Sequence, residues 1–270
     1  MSNIALFILT HGRAHDIKTY ETLKRFGTEK DVFLIVDDMD DELDEYRNTF
    51  KNVEVFDKRS VDVDTMTNAE EWCTPVYARN YAFELAKKKG YDYFVMLDDD
   101  ISDLKIRAEK DGKLRSFDIK SIDDVFDGMA EFMAHSSVAL LGFLPSGAYI
   151  GGLSGAYREK VKRDITQVFM CRTKDGSYFK GVMNEDYIAS LALANDGKTA
   201  LSLFLINLFA PTRMSNKGGL HDTYAKMGVY VRDFYTCIAY PSTGRFTSDL
   251  VFKRVKRATF PMIISEAYKK

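Results

Sequence analysis

The chain has 270 residues, 46% of them hydrophobic and 29% charged, with a formal net charge of −2. That length buries the core of one α/β domain with a small appendage, and the charge balance excludes a strongly basic, dedicated nucleic-acid binder. No apolar run reaches the roughly 20 residues that span a bilayer. The N-terminus, MSNIALFILTHGR, lacks the basic n-region of a secretory leader, so a cytoplasmic protein with no membrane partner is the expectation. Cys73, Cys171 and Cys237 are widely separated and form no C-x-x-C pair, which reads as reduced, structural thiols. Charge is unevenly placed: residues 31–71 hold 14 acidic and 4 basic side chains, whereas residues 241–270 hold 7 basic and 2 acidic.

In chain order, residues 4–9 (IALFIL) form an unbroken apolar run that predicts a central strand. It gives way to Thr10, His11, Gly12 and Arg13, where glycine allows a close turn and the polar groups can meet a ligand. A plain exposed turn, with His11 and His15 as surface residues, is the alternative. Residues 16–26 read as a helix, and 31–36 (DVFLIV) as a second parallel strand ending in Asp37 and Asp38. The acidic run 40–45 reads as a solvated helix face. Residues 53–56 suit a short strand, and 57–74 a long polar connection whose Trp72 is expected to pack in the core.

Residues 75–89 carry Tyr81, Ala82, Leu85 and Ala86 at helical spacing. After Gly90 comes a short apolar run, 93–97, which suits a buried strand and ends in Asp98, Asp99 and Asp100. Three carboxylates cannot share a dry core, so this strand end must open onto water or a cation. In an extended chain Asp98 and Asp100 face one way and Asp99 the other. Mg²⁺ or Mn²⁺ takes oxygen ligands of this kind and shares them with substrate phosphate. A solvated acidic loop is the competing reading.

Helix, glycine, apolar strand and D-x-D together resemble the nucleotide-sugar glycosyltransferases of the GT-A fold. That resemblance implies an α/β domain with a Rossmann-like, mostly parallel central sheet flanked by helices. It implies a metal held by Asp98 and Asp100, and a donor nucleotide met by Arg79, Asn80 and Asp99. It also nominates Thr10, His11 and Arg13, with Arg13 as a bidentate phosphate partner, and Asp37 for the uracil or ribose.

Further on, residues 105–117 read as a hairpin around Asp111 and Gly112. Residues 121–134 read as an amphipathic helix capped by Ser121, and 138–144 as a buried strand. The glycine-rich stretch 151–158 is equally compatible with a ligand-lining loop and a plain turn. Glu185 and Asp186 open a predicted helix about 85 residues after the D-x-D. This is similar to the motif that supplies the catalytic base of inverting GT-A enzymes, which nominates Asp186 first and Glu185 second. Residues 200–210 (ALSLFLINLFA) read as a buried strand or helix. By the same resemblance His221, after Gly218 and Gly219, completes the metal site and Lys217 meets phosphate.

The expected organisation is a catalytic domain over residues 1–225 and a C-terminal extension over 226–270. The extension interleaves Arg245, Lys253, Arg254, Lys256 and Arg257 with Phe246, Phe252 and Phe260, a composition that suits either a nucleic-acid backbone or packing on the core. The THGR and NKGGLH segments resemble the glycosyltransferases of bacteriophage DNA hypermodification, which implies DNA as a partner and host cytoplasm as location. A glycan or small-molecule acceptor, a sugar-nucleotide or nucleotidyl-transfer enzyme, and a silent nucleotide-binding module share parts of the pattern.

Overall fold

The computed structural model describes residues 2–66, 72, 74–155, 165–211 and 235–241, and in backbone alone 231–234, 247–249 and 254–256. The first half of the chain alternates β1 (Ile4–Leu9), α1 (Lys18–Phe26), β2 (Asp31–Asp37), α2 (Leu43–Thr49), β3 (Val53–Phe56), α3 (Val76–Lys89) and β4 (Tyr93–Asp98). The second half supplies β5 (Asp103–Lys110), β6 (Lys113–Asp118), α4 (Ile122–Ala134), β7 (Val138–Pro145), β8 (Val168–Arg172), α5 (Glu185–Asn195) and β9 (Thr199–Phe209). A helix α6 (Val231–Ala239) and a small hairpin, β10 (Thr247–Asp249) with β11 (Arg254–Lys256), follow.

Nine strands make one sheet in the order β3-β2-β1-β4-β8-β7-β9-β5-β6. The two-residue period of the central strands divides their apolar side chains between two cores. Ile4, Leu6 and Ile8 of β1 join Val95 and Leu97 of β4 beneath α1 and α4, while Ala5, Phe7, Phe94 and Met96 face α3. Each fully buried Leu, Ile or Phe contributes roughly 1.5–3 kcal/mol, so these apolar runs have no stable alternative to the middle of the sheet. Gly90 ends α3 at φ 77°, a left-handed cap that turns the chain directly into β4.

The sheet is mixed, not mostly parallel. β1 pairs in parallel with β2 and β4, β2 with β3 and β7 with β9, but β8 runs antiparallel between β4 and β7. The hairpin expected at Asp111 and Gly112 forms as β5 and β6 and extends the same sheet through antiparallel pairing of β5 with β9. β9 is a strand that is only partly buried. Its register against β7 slips between Phe143 and Leu144, and Phe204 and Leu205 face solvent there. Ser121 caps α4 by accepting the Asp124 N–H at 3.1 Å.

Among the described residues no helix is long and apolar enough to cross a membrane. Cys171 and Cys237 are free thiols, and Cys73 lies outside the described residues. Trp72 stacks on Tyr77 with ring centroids 5.3 Å apart and packs against the α3 core. In the region expected to be an extension, Tyr235 packs with Val182, Met183 and Ile188, and Thr236 accepts a hydrogen bond from Asn184.

Candidate active site

Parallel pairing brings the C-terminal ends of β1, β2 and β4 to one edge of the sheet, the edge where open α/β sheets bind ligands. The loop after β1 would leave bare amides there, and α2 with its lead-in supplies their acceptors. Gly12 N–H donates to Asp40 at 2.7 Å, Ala14 N–H to Glu42 at 2.7 Å, and Arg13 N–H to the Tyr46 hydroxyl at 2.9 Å. The acidic run is therefore not simply a solvated helix face: Asp40 is buried, and it and Glu42 fix the loop that precedes α1. Gly12 sits at φ 64°, a conformation that admits glycine readily.

Beneath this loop His11, Asp37 and Lys58 form a charged cluster. His11 Nδ1 lies 2.8 Å from Asp37 and Lys58 Nζ lies 3.1 Å from the same carboxylate oxygen. Its bond to Asp37 raises the His11 pKa by more than burial takes away. Burial pushes Asp37 up, but His11 and Lys58 more than reverse that and leave its pKa below the ordinary value. Asp37 and Lys58 are buried, and the half-exposed His11 ring is the member that a ligand can reach.

The three aspartates part company at the end of β4. Asp99 turns toward β1, accepting from Thr10 Oγ1 at 2.9 Å and from Arg13 Nη1 at 2.5 Å. Its burial outweighs these partners and raises its pKa. Asp98 accepts from Arg79 Nη2 at 3.3 Å, and Asp100 accepts from the side chain of Gln167 at 3.1 Å. The Asp100 pKa is pushed up to about 6, by burial first and then by Asp98 and Asp99. Thr19 and Thr22 of α1 tie the following backbone down through bonds to the carbonyls of Asp98 and Ile101 and from the amide of Ile101.

From the other side α5 brings its first turn to the same place. Asn184 takes a left-handed conformation at φ 55°, and Glu185 and Asp186 follow as the first helical residues. Arg79 Nε donates to Glu185 at 3.1 Å, so one guanidinium bridges β4 and α5. Burial raises the Glu185 pKa against the pull of Arg79. Burial also opposes the charge on Arg79, yet Asp98, Glu185 and Asp186 outweigh it and hold its pKa above the ordinary value. Glu185 is buried and committed to Arg79, whereas Asp186 is half-buried.

The expected residues thus divide. Thr10, His11, Arg13, Asp37, Asp98, Asp99, Asp100, Arg79, Glu185 and Asp186 all gather at the C-terminal edge. Asp99 is buried and its carboxylate anchors the loop through Thr10 and Arg13. Asn80 is turned inward, donating to the Phe179 carbonyl at 3.1 Å and accepting from Ser177, so its side chain braces residues 177–179. Lys217 and His221 lie outside the described residues. Tyr46, Lys58 and Gln167 are members that sequence reasoning missed, and only the polar end of β2 hinted at the second. Among the described residues no three His, Cys, Asp or Glu side chains converge as a ready metal cage. Asp98 and Asp100 nevertheless suit a hard cation: both are carboxylate oxygen donors at the end of the same strand.

This α/β architecture, with its acidic ligand edge, is of the GT-A type. The model of the TET-associated glycosyltransferase family matches residues 4–219, and the chain belongs to that family. No curated protein matches the sequence. Among solved structures the fold is similar to glucosyl-3-phosphoglycerate synthase from Mycobacterium tuberculosis. Its complex with Mg²⁺ and UDP aligns with TM-score 0.50 at 9% identity, over 97% of this chain and 89% of that one. Its complex with Mn²⁺, UDP and phosphoglyceric acid aligns with TM-score 0.50 at 12% identity, over 98% and 88%.

Proposed function

We propose that this glycosyltransferase takes its sugar from a UDP-sugar, in a divalent-metal-dependent reaction, and delivers it to the hydroxyl of a hydroxymethylated pyrimidine in phage DNA. The observation that carries the reading is the meeting of Asp98 and Asp100 with the first turn of α5, joined by Arg79, at one sheet edge. Asp98 and Asp100 would hold Mn²⁺ or Mg²⁺, with His221 as a further ligand. When bound, the cation neutralises the diphosphate and stabilises it as a leaving group. Arg13, His11 and Lys217 add positive charge for the diphosphate, and Asp37 steadies His11 beside the nucleoside.

Asp186 is the base. The acceptor oxygen forms its bond to the anomeric carbon as the carbon–oxygen bond to the diphosphate breaks, and the hydroxyl proton passes to the Asp186 carboxylate. UDP leaves with the electron pair of the broken bond, and attack from the opposite face inverts the anomeric configuration. Glu185 is the weaker candidate because its carboxylate is engaged by Arg79.

Support for DNA comes from the family resemblance and from the charge asymmetry along the sequence. We assign residues 1–225 to the catalytic domain and 226–270 to an extension whose Arg245, Lys253, Arg254, Lys256 and Arg257 meet phosphates; their side chains lie outside the described residues. The test is transfer from UDP-sugars with Mn²⁺ to hydroxymethylated DNA between about 50 and 200 mM salt, where several phosphate contacts cost orders of magnitude in affinity. Transfer that ignores salt, or occurs only on a glycan or small molecule, removes the DNA acceptor and leaves the transferase. UDP binding of equal strength in EDTA removes the metal.

A further inference from the structure

Arg79 is 3% exposed, too deep to serve as a surface clamp for phosphate. Its guanidinium carbon lies 4.2 Å from the centre of the Phe169 ring, which holds the plane of the fork. Nε is given to Glu185 at 3.1 Å and Nη2 to Asp98 at 3.3 Å, while Nη1, also buried, has no hydrogen-bond partner among the described residues. The longer bond goes to Asp98, and Asp98 is also the more exposed of the two carboxylates, at 30% against 7%. A buried guanidinium with an unused donor is costly, which points to another arrangement in which that donor is used.

We infer that Arg79 is a positioning residue that makes cation binding at the sheet edge and alignment of the base on α5 depend on each other. The inference rests on Asp98 and Asp100 as cation ligands and Asp186 as the base. Arg79 and the cation compete for Asp98. When Asp98 is drawn to the cation, Nη2 is freed while Nε stays on Glu185. The fork then turns about that retained bond and offers its Nη donors to Asp186, which follows Glu185 in the first turn of α5. Asp186 is thereby aimed only when the donor's cation is in place, which protects the donor from reaction with water before the site is assembled.

The test is calorimetric titration of the full-length protein with Mn²⁺ alone, followed by steady-state kinetics. Arg79→Gln removes the competitor, and Mn²⁺ should bind about 3- to 10-fold more tightly. Glu185→Gln replaces the charged anchor with a neutral one, shifts Arg79 toward Asp98, and should weaken Mn²⁺ by a similar factor. Loss of one positive and one negative charge would by itself give these opposite signs, so the coupling is read from the kcat of a variant that keeps the charge. Arg79→Lys keeps a charge but lacks the fork; its kcat should fall about 100-fold with the donor KM nearly unchanged. Mn²⁺ affinity that is unchanged or weaker in Arg79→Gln, or shifts of the same sign in both variants, overturns the inference. If Arg79→Gln does not fold, Glu185→Gln decides alone, and unchanged or tighter Mn²⁺ binding refutes the competition. Wild-type protein that binds no Mn²⁺ even with UDP overturns the cation site itself, and the inference with it.

Discussion

Replacing Tyr46 by phenylalanine removes one oxygen atom and two hydrogen bonds from beneath loop 10–13. The ring is fully buried, so its packing is kept and the loss is confined to the hydroxyl. That hydroxyl accepts the Arg13 N–H at 2.9 Å and shares a 3.1 Å hydrogen bond with Thr10, which retains its bond to Asp99. Orphaning a buried donor costs about 1–3 kcal/mol and losing a neutral bond about 0.5–1.5 kcal/mol. Arg13 is half-buried, so water recovers part of this, and about 2 kcal/mol remains. With about 2.1 cal/mol/K of unfolding entropy per residue over 270 residues, Tm should fall by about 3–4 °C. Thermal unfolding at neutral pH measures it cleanly, because burial pushes the Tyr46 pKa up to about 12 and the hydroxyl stays protonated. A Tm within about 1 °C of wild type would show that the loop does not depend on this bond.

Asp100→Asn should abolish the metal-dependent part of UDP binding, read by calorimetry with Mn²⁺ and with EDTA; equal behaviour of wild type and variant contradicts the ligand assignment. Asp186→Asn should keep UDP affinity and lose about 100- to 10,000-fold in turnover, and wild-type turnover or a retained anomeric configuration rules it out as an inverting base. The His11 and Asp37 pair predicts a pH signature. The raised His11 pKa stabilises the fold below its unfolded value of 6.5, and that contribution is lost as pH rises through the folded pKa. The lowered Asp37 pKa stabilises above 3.8 and is lost as pH falls through its folded value. The Tm difference between wild type and His11→Gln should therefore be larger at pH 5.5 than at pH 8.5, and the reverse order refutes the coupling.

The strands and helices of the first half were legible because each is an apolar run of the right period bounded by turn residues. Residues 4–9, 31–36 and 93–97 could be placed without ambiguity, and the D-x-D announced the open edge. Hairpin and cap were legible for the same local reasons. β8 was not, because VFMCR is five residues long and its direction is a property of its neighbours β4 and β7. Gln167, just before it, was invisible with it. Asp99 and Asn80 look in sequence like any polar residue beside a ligand motif; only tertiary contacts decide that they face Thr10, Arg13 and residues 177–179. Likewise nothing in a run of six acidic or apolar residues tells which carboxylates, here Asp40 and Glu42, will be asked to receive amides from a loop 28 positions earlier.

The antiparallel placement of β8 also bears on how the chain assembles during synthesis. β4 is complete at residue 98, but its second neighbour is made only at residues 168–172, after the β5–β6 hairpin, α4 and β7. Until then β3, β2, β1 and β4 can zip together while β4 presents an unpaired, apolar edge to its surroundings. Insertion of β8 between β4 and β7 closes that edge in a late, long-range event, and β9, made later still, bridges β7 and β5 to complete the sheet. The same event brings Gln167 beside Asp100 and Phe169 beneath Arg79, so the acidic edge acquires its final form only when the seam has closed. A nascent chain stalled before residue 168 would carry the D-x-D on an exposed strand, open to aggregation and without the partners that shape it.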